Sequence, residues 1–200
     1  MKAKINKESL RIVISLAVIA FVAALLLAVV NYFTAVDEAE ELKKAIAEAY
    51  PDSELTELDT SDYTSLTGTS LNGAYRAADG AYIFLVHVAK ANRIGYSADG
   101  VALITVIDDG AIIKVVGYSH SETPGLGANA FNEEYLSQYV GVKTSDIDIP
   151  ADHSIGIPDS GSAFTPYKVT SATYTSNAVF ASVKGAVAAY NHFTGGGAHE

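Results

Sequence analysis

The chain has no cysteine, no tryptophan and a single methionine among its 200 residues. Without a thiolate there is no disulfide, no iron–sulfur cluster, no cysteine nucleophile and no thiolate zinc site. Cations are also short: 13 Lys and Arg stand against 23 Asp and Glu, a formal charge of −10. That balance argues against a nucleic-acid partner, because phosphate backbones are held by basic surfaces. Histidine is present five times, but His87, His153, His192 and His199 share no ligand spacing with one another or with His120, so no metal site is assigned. A Gly-x-Ser-x-Gly elbow is missing as well. Ser121 and His120, being adjacent, make a poor hydrolytic pair.

What the chain has in excess is apolar sequence, unevenly placed. Residues 12–30 are 19 positions with no charge and one hydroxyl, Ser15. As a helix this run is about 30 Å long, the hydrocarbon thickness of a bilayer. Lys2, Lys4, Lys7 and Arg11 precede it with Glu8, a net of +3, and Asp37, Glu38, Glu40 and Glu41 follow it. The asymmetry predicts a cytoplasmic N-terminus, with everything after about residue 31 outside. A cleaved signal peptide fits less well, since its apolar core is about 7–15 residues and ends at small side chains. Here the exit is Val30-Asn31-Tyr32-Phe33, and the two aromatics suit a membrane interface. Residues 12–200 carry a net charge of −13, and about 165 residues follow the anchor segment of residues 1–33, enough for one domain with its own core.

The expected organisation is a cytoplasmic N-terminus and transmembrane anchor over residues 1–33, a helical stalk over 34–51, an extracytoplasmic domain over 52–194 and a frayed tail over 195–200. The stalk rests on residues 37–50, acidic at their start, Ala-rich and stopped by Pro51. Residues 52–73 show no period and read as weakly structured or as short strands. Strands are expected at residues 81–90, and at 101–107 and 111–118, the last two joined as a hairpin by Asp108-Asp109-Gly110. His87, inside the first of these, is expected at a half-buried or edge position. A short helix is expected near residues 132–139. The last helix, residues 176–193, buries the face made by Val179, Phe180, Val183, Val187 and Tyr190. The fold class is α+β, with an antiparallel sheet and a C-terminal helix.

Two loops between these elements carry functional groups. Residues 120–127, HSETPGLG, set His120, Glu122 and Thr123 beside Gly125, Leu126 and Gly127, straight after the hairpin; as plain structure they would be a polar turn. Residues 170–177 are Thr170, Ser171, Ala172, Thr173, Tyr174, Thr175, Ser176 and Asn177, running into the last helix. Thr173 or Thr175 would serve there as an N-cap. Free N–H groups at a helix start also attract phosphate.

Together with the N-terminal anchor, these two motifs resemble the FMN-binding domain family, and among its members the G subunits of Rnf-type electron-transport complexes. The resemblance covers nearly the whole chain, including residues 95–118. It implies an FMN joined covalently through its phosphate to Thr175 by a flavin transferase. Ala172 and Thr173 match the family motif, Tyr174 fills the variable place and Ser176 follows the acceptor. Three positions depart: Thr170 stands where Ser is usual, Ser171 where the family has Gly, and Tyr167 where it has Asp. A Ser held at positive φ costs about 1–2 kcal/mol. The resemblance further implies that Glu122 and Thr123 hydrogen-bond the cofactor, that Gly125 and Gly127 let backbone approach it, that Leu126 covers it and that Tyr174 or Tyr118 stacks on its ring. The implied function is an electron-transfer subunit, in the membrane with other subunits of an ion-translocating ferredoxin:NAD oxidoreductase. The alternative is a binding or assembly module that has lost covalent flavinylation.

Overall fold

The computed structural model describes residues 7–34, 38–155 and 163–195. Lys2, Lys4, Asp37, His199 and the tail beyond Gly195 lie outside the described residues. The chain divides into two compact units between Leu42 and Lys43. In the first, helix α1 (Lys7–Thr34) contains Leu10–Thr34, a segment long and apolar enough to cross a membrane. It is apolar on every side, so its exposed Leu, Ile, Val and Phe side chains have no single face to bury, the pattern of a helix whose solvent is lipid.

Helix α2 (Glu38–Ala49) runs across the division, and its residues Ile46 and Ala49 are buried in the second unit. Five strands follow: β1 (Leu55–Glu57), β2 (Thr69–Ala77), β3 (Tyr82–Val88), β4 (Val101–Asp108) and β5 (Ala111–His120). They form one antiparallel meander in chain order. The β4–β5 turn is Asp109 and Gly110, both at positive φ (44° and 73°), the twist-matched two-residue hairpin that an Asp-Gly pair favours. β4 is buried at every position but its last. Its continuous apolar run reflects cover on both faces, where a half-solvated strand would alternate. His87 is half-buried on β3, the middle strand rather than an edge, and its Nε2–H donates to the Asp99 carbonyl at 2.9 Å.

After β5 come a 3-10 turn (Gly127–Phe131), the one-turn helix α3 (Glu133–Leu136), and the long helix α4 (Thr173–Phe193). α4 packs across β2, β3 and β4. Val179, Phe180, Val183 and Val187 enter the core beside Phe84, Val86 and Leu103, and Ser182 donates to the Val86 carbonyl. Buried Lys184 donates to the Ile155 carbonyl at 3.0 Å. Burial lowers its pKa, partly offset by Asp148. Two expectations change. α4 begins three residues before the expected Ser176, so Thr175 lies inside its first turn. β2 was not expected over its length: its pairing with β3 shifts between Leu71 and Gly73, and that bulge breaks the alternation by which a strand is read.

Candidate functional site

The sheet delivers β5 beside the N-terminal end of α4, and the loop leaving β5 lies against that helix start. Thr175 Oγ1 donates to Glu122 Oε2 at 2.7 Å, across 53 positions of sequence. Both side chains are nearly enclosed, with 2% of Thr175 and 6% of Glu122 exposed. The other carboxylate oxygen, Oε1, accepts the backbone N–H groups of Tyr96 and Ser97, each at 3.0 Å. Burial would raise the Glu122 pKa. The hydrogen bonds from Ser97, Thr175 and Tyr96, with the nearby His120, outweigh it and hold the carboxyl below the usual carboxylate value. Glu122 is therefore an ionised clamp joining three segments: the β3–β4 loop, its own loop and α4.

Several local devices hold this arrangement. The Ala172 N–H donates to the Val169 carbonyl at 3.0 Å, closing a turn whose third residue, Ser171, sits at φ +63°. That is the place glycine fills without strain. Ser176 Oγ ties the turn to the helix by accepting the Val169 N–H and donating to the Ala172 carbonyl, both at 3.0 Å. The β3–β4 loop is fixed to α4 by the Gly95 N–H on the Tyr174 carbonyl and by Asn177 Nδ2 on the Arg93 carbonyl, each 2.8 Å. At Gly127 an added Cβ would lie 2.5 Å from Glu122 Oε2 and 2.8 Å from Thr175 Oγ1. Glycine keeps the space over that pair clear.

Above the pair opens a cavity of about 490 Å³, within the range of small-molecule sites. One wall is Glu122, Thr123, Leu126 and Gly127; the facing wall is Ser171, Ala172, Thr173, Tyr174 and Thr175; Tyr96 closes a side. Tyr96, Leu126 and Tyr174 are exposed, which gives the mouth an apolar, partly aromatic rim. No Lys or Arg lines it. Neither Thr173 nor Thr175 is the N-cap: that position is Ala172, with no side-chain cap, so the first-turn N–H groups of α4 are left for another acceptor.

Of the residues singled out in the sequence, Glu122, Thr123, Leu126, Gly127 and positions 171–175 except Tyr174 meet here as expected candidates, and Tyr174 joins them as one of the two aromatics left open. Gly125, at φ +77°, turns the loop without lining the cavity. Thr170 is exposed beside it, and Ser176 is turned to the backbone. His120 is off the wall. Its ring stacks on Phe131 with centroids 4.0 Å apart, and its Nδ1 accepts the Glu122 N–H at 3.3 Å. Tyr118 does not line the cavity. Asn177, the last residue of the second motif, holds the β3–β4 loop rather than the cavity wall. Arg93, Tyr96 and Ser97 were not foreseen, because the β3–β4 loop carries no motif, only glycines at Gly95 and Gly100 that mark an irregular backbone.

Residues 95–188 match the FMN-binding domain family. Over 112 residues the chain is 36% identical to the G subunit of the proton-translocating ferredoxin:NAD(+) oxidoreductase complex of Clostridium ljungdahlii, covering 56% of this chain and 57% of that protein. Over 158 residues it is 26% identical to the G subunit of the ion-translocating oxidoreductase complex of Methanosarcina acetivorans, covering 72% of this chain and 79% of that protein. The clostridial relative is thus matched over little more than half its length. The clamp, the cavity and both motifs fall inside the residues that match the FMN-binding domain family.

Proposed function

We propose that the chain is a membrane-anchored flavoprotein electron carrier, with FMN held in the cavity and esterified through its phosphate to Thr175. The observation that carries this reading is the Thr175 hydroxyl, in the first turn of an uncapped helix and on the wall of the cavity. The residues fit the group. First-turn N–H groups and the helix dipole favour a phosphate by about 0.3–1 kcal/mol or more, and the rim of Tyr96, Leu126 and Tyr174 offers apolar cover to a flat ring. Charge favours the ester over free FMN. With a carboxylate present and no cation lining the cavity, a phosphodiester carries one negative charge fewer than a phosphomonoester.

Bound FMN supplies one-electron redox chemistry, and the protein contributes position, hydrogen bonding and local charge. The acidic surroundings disfavour a further negative charge on the ring and so lower its potential. By analogy with its two relatives from ion-translocating complexes, the chain works as an electron-transfer subunit beside other membrane subunits of an ion-translocating ferredoxin:NAD oxidoreductase, without turnover of its own. α1 is its single anchor, with the N-terminus in the cytoplasm and the flavin domain on the other side. A flavin transferase is its maturation partner.

The test is flavin fluorescence in a denaturing gel, with intact mass, on chain co-produced with a flavin transferase. Fluorescence in the natural sequence, lost in Thr175→Ala and kept in Thr173→Ala, is the expected result. Flavin kept in Thr175→Ala moves the attachment elsewhere. No flavin in any sample favours the assembly-module alternative, for which the strained Ser171 turn is the supporting observation.

A further inference from the structure

The two oxygens of Glu122 are used differently. Oε1 takes both backbone N–H groups, from Tyr96 and Ser97, and together with the Gly95–Tyr174 and Asn177–Arg93 hydrogen bonds it already holds the β3–β4 loop against α4. Oε2 receives the hydroxyl of Thr175 at 2.7 Å. With Oε1 pinned by two donors, the carboxylate plane is fixed, and Oε2 is aimed at Oγ1. A brace needs no second oxygen on a hydroxyl. Oγ1 is also the atom that must lose a proton if Thr175 is to be esterified, and the bare Gly127 leaves the ground beside both atoms clear.

From this geometry we infer that Glu122 is the general base of the chain's own modification, accepting the Thr175 proton as the phosphoester forms. The inference rests on the reading that Thr175 is the attachment site. A flavin phosphomonoester would have to expel hydroxide, so the donor must be a mixed phosphate anhydride of the flavin, a flavin dinucleotide, presented by the transferase. Oγ1 attacks the flavin-side phosphorus and the Oγ1–P bond forms. The bond from that phosphorus to the bridging oxygen breaks, and the nucleoside monophosphate leaves with its electron pair. The proton passes from Oγ1 to Oε2 along the existing hydrogen bond. Nothing is oxidised or reduced. The product is a phosphodiester on Thr175 and a protonated Glu122. An ionised carboxylate is ready to take that proton, whereas a neutral amide of the same shape is not.

Glu122→Gln separates the two roles. A glutamine side chain can still accept the Tyr96 and Ser97 N–H groups through its oxygen and leaves the space filled, but it takes no proton. The experiment uses the full-length chain in detergent, with purified transferase and flavin dinucleotide, and follows single-turnover adduct formation by intact mass. Thermal melting and amide exchange at Tyr96 and Ser97 report on the brace. The expected result is a rate lowered about 100-fold or more, with melting and exchange near those of the natural sequence. A Glu122→Gln chain that loads at the natural rate on Thr175 overturns the inference and leaves the proposed function standing. Flavin found on another residue, or on none, in the natural sequence overturns both.

Should Glu122→Gln fold poorly, Glu122→Ala with added carboxylates decides. Formate and acetate should restore loading, acetate more strongly at equal concentration of the anion because it is the stronger base. Rescue that is absent or indifferent to basicity overturns the inference.

Discussion

The two longest helices, α1 and α4, are both rich in apolar residues, yet they solve opposite problems. In α1 every residue with a described side chain is exposed within the chain, Phe21 at 69%. In α4 Phe180 is exposed at 1%, and the buried residues run almost without a break from Thr175 to Val187. α1 needs only composition and length, because a lipid solvent accepts any apolar side chain at any rotation. α4 needs a position: its start must bring Thr175 to Glu122, and its core residues must meet β2, β3 and β4. Substitutions in α1 should therefore be forgiving of shape, and those in α4 should not.

Truncating matched aromatics tests this most severely. Phe180→Ala should destabilise the domain by about 3–5 kcal/mol in denaturant melting, the cost of emptying a packed aromatic site. Phe21→Ala should change the same melting by less than about 0.5 kcal/mol. Comparable losses from the two would mean that α1 is a packed element of the domain and would break the contrast.

A smaller effect, of opposite sign, is expected where α4 begins. Ser171 holds φ +63° in the turn before the helix, a conformation that costs a side chain about 1–2 kcal/mol, partly offset by glycine's greater freedom when unfolded. Ser171→Gly should then stabilise the domain by about 1 kcal/mol and raise Tm by about 2–4 °C. An unchanged or lower Tm would show that the Ser171 side chain contributes something that offsets its strain.

The mildest test is acid. Glu122 is held below its ordinary value of 4.5 in the folded chain, so its contribution is complete above that pH and is lost as pH falls through the lower folded value. Amide exchange at Tyr96 and Ser97 should quicken selectively in that window. In Glu122→Gln this local step should be missing, although the exposed carboxylates Asp59, Asp79 and Asp152, also lowered by hydrogen bonds, still titrate. Exchange that quickens equally in both chains would assign the acid response to those surface groups.

Much of the architecture was legible from local signals. The β4–β5 hairpin follows from Asp109-Gly110 between apolar runs, and α1 follows from its length without charge. α4 was legible apart from its first turn, because Thr173, Tyr174 and Thr175 resemble a capping segment and no local rule puts them inside a helix whose N-cap is Ala172. β2 was hidden by its bulge. Within the site, the two motifs named most of the cavity wall, but not how they are joined.

By itself, then, the sequence determined the membrane-length helix, the antiparallel hairpin, the buried face of the last helix and the two loops rich in hydroxyls and glycine. These depend on periodicity, turn chemistry and composition, which act over a few residues. Only the tertiary structure decided that one oxygen of Glu122 clamps Tyr96 and Ser97 while the other receives Thr175, and that His120 turns to Phe131 instead of the cavity. The physical reason is range. A hydrogen bond between residues 53 positions apart forms only after the strands have paired in register and α4 has packed across them, so no short window of sequence contains it.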